Sequence, residues 1–235
     1  MTAAGTLYGL GLGPGDPDLI TLRAARIIAR TPVIAYPTLE NGASFARAIA
    51  QDLIPSGRAE LPIRIPMSTA RAPAQAAYNA GAAAIAGHLN AGRDVAVLCE
   101  GDPFFYGSFM YIFSRLSARH ATCVVPGVTS VTACAAVTGT PLSARNEVLT
   151  IIPGPMEEEA MTARIAQAAS VAIMKVGRHL PKIRRVLDRL GLTPRATYVE
   201  RATLPNGRHM ALAEAPVQAP YFSMILVTRG TDPWL

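Results

Sequence analysis

VAVLCEGDPFFYGS, residues 95 to 108, decides how the rest of the chain is read. Val95 to Cys99 form an unbroken apolar run of the kind that fills a strand buried on both faces. Glu100, Gly101, Asp102 and Pro103 cannot continue it, so the strand ends at a tight, carboxylate-bearing turn. In an open α/β sheet, small ligands bind beyond the carboxyl ends of the strands, where a glycine lets main chain approach the ligand. Gly101 and Asp102 occupy that position, and Asp102 is equally suited to capping the helix that follows.

Toward the N-terminus the pattern repeats. Thr6 to Leu12 reads as a strand running into the glycine-rich turn Gly11 to Asp16. That turn is not a dinucleotide fingerprint. G-x-G-x-x-G counted from Gly9 meets Pro14 at its last position, and counted from Gly11 it meets Asp16. An acid at the mouth of the next helix would also repel a pyrophosphate, which leaves room for a cationic or phosphate-free ligand. Thr21 can cap a helix with Leu22, Ala25, Ile28 and Ala29 on one face, ended by Thr31-Pro32. Strands are expected at 33–36 and 61–65, with a helix at 44–53 between them. From Pro73 an alanine-rich helix places Tyr78, Ala82, Ile85 and Leu89 on one side and closes at Gly92. The βαβα alternation predicts a mostly parallel sheet.

Toward the C-terminus, 108–116 is expected to be a core helix and Thr122 to Val125 a strand that meets PGVTS, a second strand-to-helix turn rich in small and hydroxyl groups. Strands at 148–152, 171–174 and 197–200 alternate with helices at 157–169 and 181–190. After Asn206-Gly207, residues 208–214 and 221–227 look like antiparallel strands. The expected architecture is therefore α/β with two domains, 1–118 and 122–235, joined near Ala118 to Ala121, the second with a mixed sheet.

Composition narrows the function. Half of the 235 residues are hydrophobic, enough for full cores, and no apolar run approaches the ~20 residues that span a bilayer, so no membrane partner is expected. Cys99, Cys123 and Cys134 form no C-x-x-C pair, and the histidines are isolated, so no metal site and a reducing, cytoplasmic setting are expected. The net charge is +6, but residues 171–210 hold nine Lys or Arg against Asp188 and Glu200, a local +7 that leaves −1 elsewhere. An anionic partner is expected there. Nucleic acid is one candidate, but with Tyr198 the one aromatic in the segment and no nucleic-acid motif, a polyanionic small molecule fits at least as well. H-E-x-x-H, G-x-S-x-G and Walker motifs are all lacking.

Taken together, GLGPGDPDLITLRA, EGDPFFYGS, VVPGVTS, AIMKVGRHL, VERAT and SMILV span nearly the whole chain, and their order resembles the tetrapyrrole (corrin/porphyrin) methylase family. GDPFFYGSFMYIFSRL and MKVGRHLPKI look most like the branch that methylates precorrin-2 at C20. The resemblance implies a parallel N-terminal α/β domain, a mixed C-terminal one, a cleft between them, a homodimer and S-adenosylmethionine (SAM) as methyl donor. Carried over residue by residue, it assigns Pro14, Glu100, Gly101, Asp102, Phe105, Thr129, Ser130, Met174, Ala202, Ser223 and Met224 to SAM. Ala202 stands where relatives commonly have glycine, and Ser223 where proline is often found. Tyr106, Arg178 and Lys182 are the candidate contacts to the polycarboxylate tetrapyrrole. No catalytic residue is assigned. Methyl transfer from a sulfonium is an in-line displacement that positioning alone can drive, and Asp, Glu, Tyr106 or a substrate propionate remains open as base. A cobalt-loaded or differently methylated ring, and an RNA-modifying relative, remain as alternatives.

Overall fold

A computed structural model describes residues 4–66 and 70–229. It comprises two compact units, 1–129 and 130–235. In the first, strands β1 (Leu7–Gly11), β2 (Val33–Thr38), β3 (Ala59–Arg64), β4 (Val95–Cys99) and β5 (Thr122–Val125) form one parallel sheet in the order β3-β2-β4-β1-β5. Because β5 pairs with β1 from Leu7↔Thr122 to Leu10↔Val125, it completes the first sheet. The expected boundary at 118–122 is thus corrected to Thr129. The apolar run of β5 fixed its type, while its partner is set by long-range pairing that local pattern does not encode.

β4 shows why this sheet has helices on both sides. Val95, Val97 and Cys99 enter one core with α3 (Arg71–Asn90) and α4 (Phe109–Leu116), whereas Ala96 and Leu98 enter another with α1 (Leu22–Arg30) and α2 (Phe45–Ile49). Alternate side chains point to opposite faces, so an all-apolar strand needs a cover on each, and every fully buried Val, Leu or Ile contributes about 1.5–3 kcal/mol. The cap of α1 and the stripe of α3 follow their sequence signals, but α1 buries Ala24, Ile27 and Ile28 rather than the expected face of Leu22, Ala25, Ile28 and Ala29, and Leu22 is 74% exposed. The Thr21 hydroxyl accepts from the Ala24 N–H at 3.2 Å, and Tyr78, Ala82, Ile85 and Leu89 are the buried stripe of α3. The segment expected to be one helix over 44–53 is α2 followed by a separate 3-10 turn at Gln51–Leu53.

The second unit holds β6 (Leu149–Pro153), β7 (Ser170–Met174), β8 (Ala196–Glu200), β9 (Arg208–Ala211) and β10 (Ser223–Thr228), in the order β6-β7-β10-β8-β9. β6 and β7 are parallel, β10 is antiparallel to both β7 and β8, and β9 is antiparallel to β8. The sheet is mixed, as expected. β9 and β10 are antiparallel not to each other but each to β8 between them. Helices α5 (Ser130–Thr138), α6 (Glu158–Ala166) and α7 (Leu180–Arg189) complete the unit, with Leu180, Ile183, Val186 and Leu187 of α7 in its core.

One packing constraint lies within the first sheet. A Cβ on Gly9 would stand 2.3 Å from the ring of Phe109, itself fully buried. Gly9→Ala is expected to lose about 1–3 kcal/mol of stability in urea denaturation. Combining it with Phe109→Leu should recover part of that loss, and a strictly additive double variant would show that the ring is not the obstacle.

Candidate active site

The ends of β1, β4 and β5 are drawn together by main chain. Gly101, at φ +65°, donates to the Gly13 carbonyl at 2.7 Å and accepts from the Gly13 N–H at 3.2 Å, which pairs the turns after β1 and β4. A Cβ on Gly127 would fall 2.1 Å from the Gly101 carbonyl oxygen, and one on Gly11 would fall 2.5 Å from the Gly127 nitrogen. Only residues without side chains permit this approach. Asp102 fastens it. One carboxylate oxygen accepts from the N–H groups of Phe104 (2.9 Å) and Phe105 (3.1 Å), and the other accepts from Gly127 N–H at 3.0 Å. Asp102 does not cap the helix after it, since α4 begins at Phe109 with Ser108 before it; its carboxylate instead closes its own turn and reaches the end of a second strand.

Gly101 itself faces open space. The nearest atom to a Cβ built there is the Val128 carbonyl oxygen at 4.0 Å, leaving open space against its Cα. Glu100 beside it is half-buried, and that burial pushes its carboxyl above the ordinary range, opposed by the N–H groups of Glu100 and Ala46. Phe105 is half-buried and Tyr106 is 41% exposed, its ring edge-on to Phe105 at 5.3 Å and its backbone left-handed at φ 56°. Such a conformation in a bulky residue costs about 1–3 kcal/mol and is held only by its surroundings. Pro14 is half-buried in the turn after β1. Asp16 accepts from Asp18 N–H at 2.9 Å and caps a 3-10 turn at Pro17–Leu19, so α1 starts only at Leu22 and offers no N-terminus to the glycine loop. Burial raises the thiols of Cys99 and Cys134 to about 11 and about 12, which leaves both as poor nucleophiles near neutrality. A cavity of about 350 Å³ along α1, beside Arg23, Arg26, Arg30, Tyr8 and Cys123, involves none of these turns.

In the second unit the sheet brings Met174, Ser223 and Met224 to one edge. Met224 lies opposite Met174, and Ser223 lies opposite Glu200. All three expected residues are buried, so the groups they offer at the edge are mainly main chain. Ala202 is half-buried between Arg201 (φ 49°) and Thr203 (φ 70°), and Lys175 (φ 56°) follows the end of β7. Strained backbone is thus concentrated where β7 and β8 end. Thr129 closes the first unit and Ser130 opens α5.

The spacing of charges along the sequence concealed a buried network here. Glu200 is 2% exposed; it accepts from the Tyr198 hydroxyl at 2.6 Å, from Arg208 at 2.6 Å and from Arg201 at 3.3 Å. The Ser223 hydroxyl lies 3.3 Å from that of Tyr198 and donates to the Pro220 carbonyl. Burial alone would raise the Glu200 carboxyl, but the Tyr198 hydroxyl and Arg208 outweigh it and hold it below the ordinary range. Burial, then Glu200, pushes Tyr198 up to about 12. Tyr198 and Glu200 share one face of β8 by their two-residue spacing, which is the signal that could have found them.

The excess of positive charge in 171–210 is largely engaged inside the unit. Arg185 and Arg189 both pair with Glu158, Arg208 and Arg201 with Glu200, and Arg184, Arg195 and Lys182 donate to main-chain carbonyls. This corrects the expectation that the local +7 as a whole faces an anion. Lys182 is held on the Met156 carbonyl, whereas Arg178 is exposed on a 3-10 turn after β7.

Glu200 generates a pH prediction. Its folded pKa is depressed, so its contribution is complete above the unfolded value of about 4.5 and disappears as pH falls through the lower folded value. Glu200→Gln is expected to be about 1–2 kcal/mol less stable than the parent near pH 7. Denaturation curves should show that gap narrowing as the solution is acidified below about pH 4.5, and a gap that widened instead would contradict the assignment.

Known proteins place these features in context. The family model for Tetrapyrrole (Corrin/Porphyrin) Methylases matches residues 6–216. A precorrin-2 C(20)-methyltransferase from Sinorhizobium sp is 43% identical over 237 residues, covering 97% of both chains. A cobalt-precorrin-2 C(20)-methyltransferase from Salmonella typhimurium is 33% identical over 229 residues, covering 96% of this chain and 97% of the other. The crystal structure of uroporphyrin-III C-methyl transferase from Thermus thermophilus complexed with S-adenyl homocysteine superposes with a TM-score of 0.67 at 25% identity, over 95% of this chain and 92% of that one. With a parallel first sheet, a mixed second sheet and a family match across most of its length, the chain belongs to the tetrapyrrole methylases.

Proposed function

We propose that the chain is a SAM-dependent C-methyltransferase of cobalamin biosynthesis that methylates precorrin-2 at C20 to give precorrin-3A. The observation that carries this reading is the end-to-end 43% identity to an enzyme of that name. The metal-free ring is preferred to the cobalt form because the relative named for the cobalt form is only 33% identical over a similar length. A homodimer, from the family resemblance, and a cytoplasmic location, from the cysteines that form no C-x-x-C pair, belong to the same reading.

The residues present fit a nucleoside sulfonium. Gly101, its N–H and carbonyl taken up by Gly13, leaves open space where a side chain would stand, so a ligand can lie against its Cα. The neighbouring acidic group is Glu100, and no lysine or arginine lies in the turns 11–16 and 100–105. In this reading Pro14, Gly101, Phe105 and Thr129 of the first unit contact SAM together with Glu100. Ser130, Met174, Ala202, Ser223 and Met224 supply the second unit's contacts. Bound SAM supplies an electrophilic methyl group. The chain's own contribution is positioning. Asp102, with both oxygens on main-chain N–H groups, keeps Gly101 and Gly127 in place rather than touching the methyl. Tyr106 and Glu100 remain the chain's candidates for accepting the proton released at the methylated carbon, beside the substrate's own carboxylates.

Incubation with SAM and precorrin-2, or its cobalt form, followed by product mass and methyl position by NMR, tests the reaction. Methylation at C20 of precorrin-2 is expected, and methylation elsewhere or of neither ring rejects the reading. For the cosubstrate, S-adenosylhomocysteine should raise the melting temperature and NAD should not. Gly101→Val should abolish calorimetric binding of S-adenosylhomocysteine while costing only about 1–2 kcal/mol of fold stability for its left-handed backbone. Unchanged affinity would make the turn purely structural.

A further inference from the structure

We infer that Tyr221 and Phe222 form the platform that receives the flat face of the tetrapyrrole and sets which ring carbon is presented. The inference rests on the proposed function for the identity of the ring. Tyr221 is 65% and Phe222 42% exposed, and neither belongs to the hydrophobic core of the second unit. Scattered exposed apolar residues are ordinary, but these two rings touch, with centroids 5.1 Å apart and planes at 78°.

Their backbone is fixed. Phe222 accepts from Arg201 N–H at 2.9 Å, Ser223 N–H donates to the Tyr221 carbonyl at 3.0 Å, and the Ser223 hydroxyl donates to Pro220. The pair therefore precedes β10, the strand between β7 and β8, and sits among the loops that follow those two strands. The turn that carries Arg178 runs alongside, since a Cβ on Gly177 would stand 3.9 Å from both the Tyr221 Cα and the Pro220 carbonyl oxygen.

Geometry and charge together select the ligand. A flat face stacked on a single ring can slide and turn in its plane. A second ring at 78° acts as a stop against sliding, and cations around the rim resist turning through charge-assisted contacts to carboxylates. The adjoining turn supplies the exposed Arg178, while Arg201 in the loop after β8 and Arg208 on β9 pair with the buried Glu200 yet keep side chains 37% and 57% exposed. An apolar step within a cationic rim fits a flat polycarboxylate better than an apolar protein surface.

The test uses the full chain, with uroporphyrin III as a stable optical probe of macrocycle binding. Tyr221→Ala and Phe222→Ala should each weaken uroporphyrin affinity by about tenfold or more. Tyr221→Phe should keep it, and calorimetric affinity for S-adenosylhomocysteine should stay within about threefold in all variants. With precorrin-2 the alanine variants should raise KM more than they lower kcat and should yield product methylated at other positions. Unchanged uroporphyrin affinity, or a parallel fall in S-adenosylhomocysteine affinity, overturns the inference. So does a change of oligomeric state in sedimentation with macrocycle binding intact, which would assign the pair to an interface between copies. If the parent chain binds uroporphyrin through these rings yet methylates neither form of precorrin-2 at C20, the proposed function fails and the platform stands. If the parent methylates C20 and the variants behave like it, the reverse holds.

Discussion

A single carboxylate holds the first unit's strand ends in register. Asp102 accepts three main-chain hydrogen bonds, two from its own turn and one from Gly127 after β5. Hydrogen bonds to an ionised acceptor contribute about 1.5–3 kcal/mol each, more than the neutral bonds of an ordinary turn. Gly11 and Gly127 can approach each other and the Gly101 carbonyl because they lack side chains, but absence of bulk permits an approach without enforcing it. The carboxylate supplies the attraction. Gly101, its polar main-chain groups held by Gly13, can then turn a bare Cα outward because its neighbours are fixed from behind.

The second unit solves the comparable problem with a buried charge. Glu200 ends β8 inside the sheet, and its desolvation is offset by the Tyr198 hydroxyl and by two guanidinium groups that reach it from the following loop and from β9. The loop from 201 to 207 is thereby tethered at both ends, which is the condition under which left-handed Arg201 and Thr203 persist. The two units use related logic: an acid at a strand end, satisfied by partners from a neighbouring segment, stiffens backbone that local sequence preference would not hold.

Much of this architecture was legible because its signals are local. The apolar run 95–99, the Thr21 cap and the stripe of α3 each follow from residues within a few positions of one another. What lay beyond reading was long-range. Thr122 to Val125 was identifiable as a strand, yet its pairing with β1 spans more than a hundred residues, and the unit boundary was misplaced accordingly. The local +7 was a true count with a misleading implication, since Glu158 and several main-chain carbonyls, distant in sequence, neutralise or engage most of it. At the site, Gly101 and Asp102 stood out through strand-end chemistry, whereas Gly127's dependence on Asp102 is visible only in three dimensions.

The strand order of the first sheet also bears on how the chain acquires its structure during synthesis. β1 is made first, but its two neighbours, β4 and β5, are the last strands of the unit to emerge. An early strand whose partners come late must wait with its hydrogen-bonding edges unpaired, a high-contact-order arrangement that slows folding and exposes apolar surface to aggregation. β2 and β3 can pair early, while β1 has no partner until β4 is made and its second edge stays open until β5 follows. In the second unit, β8 and β9 are joined by a short loop and can close locally. The N-terminal half is therefore the portion of this protein whose sheet waits longest for its partners during synthesis.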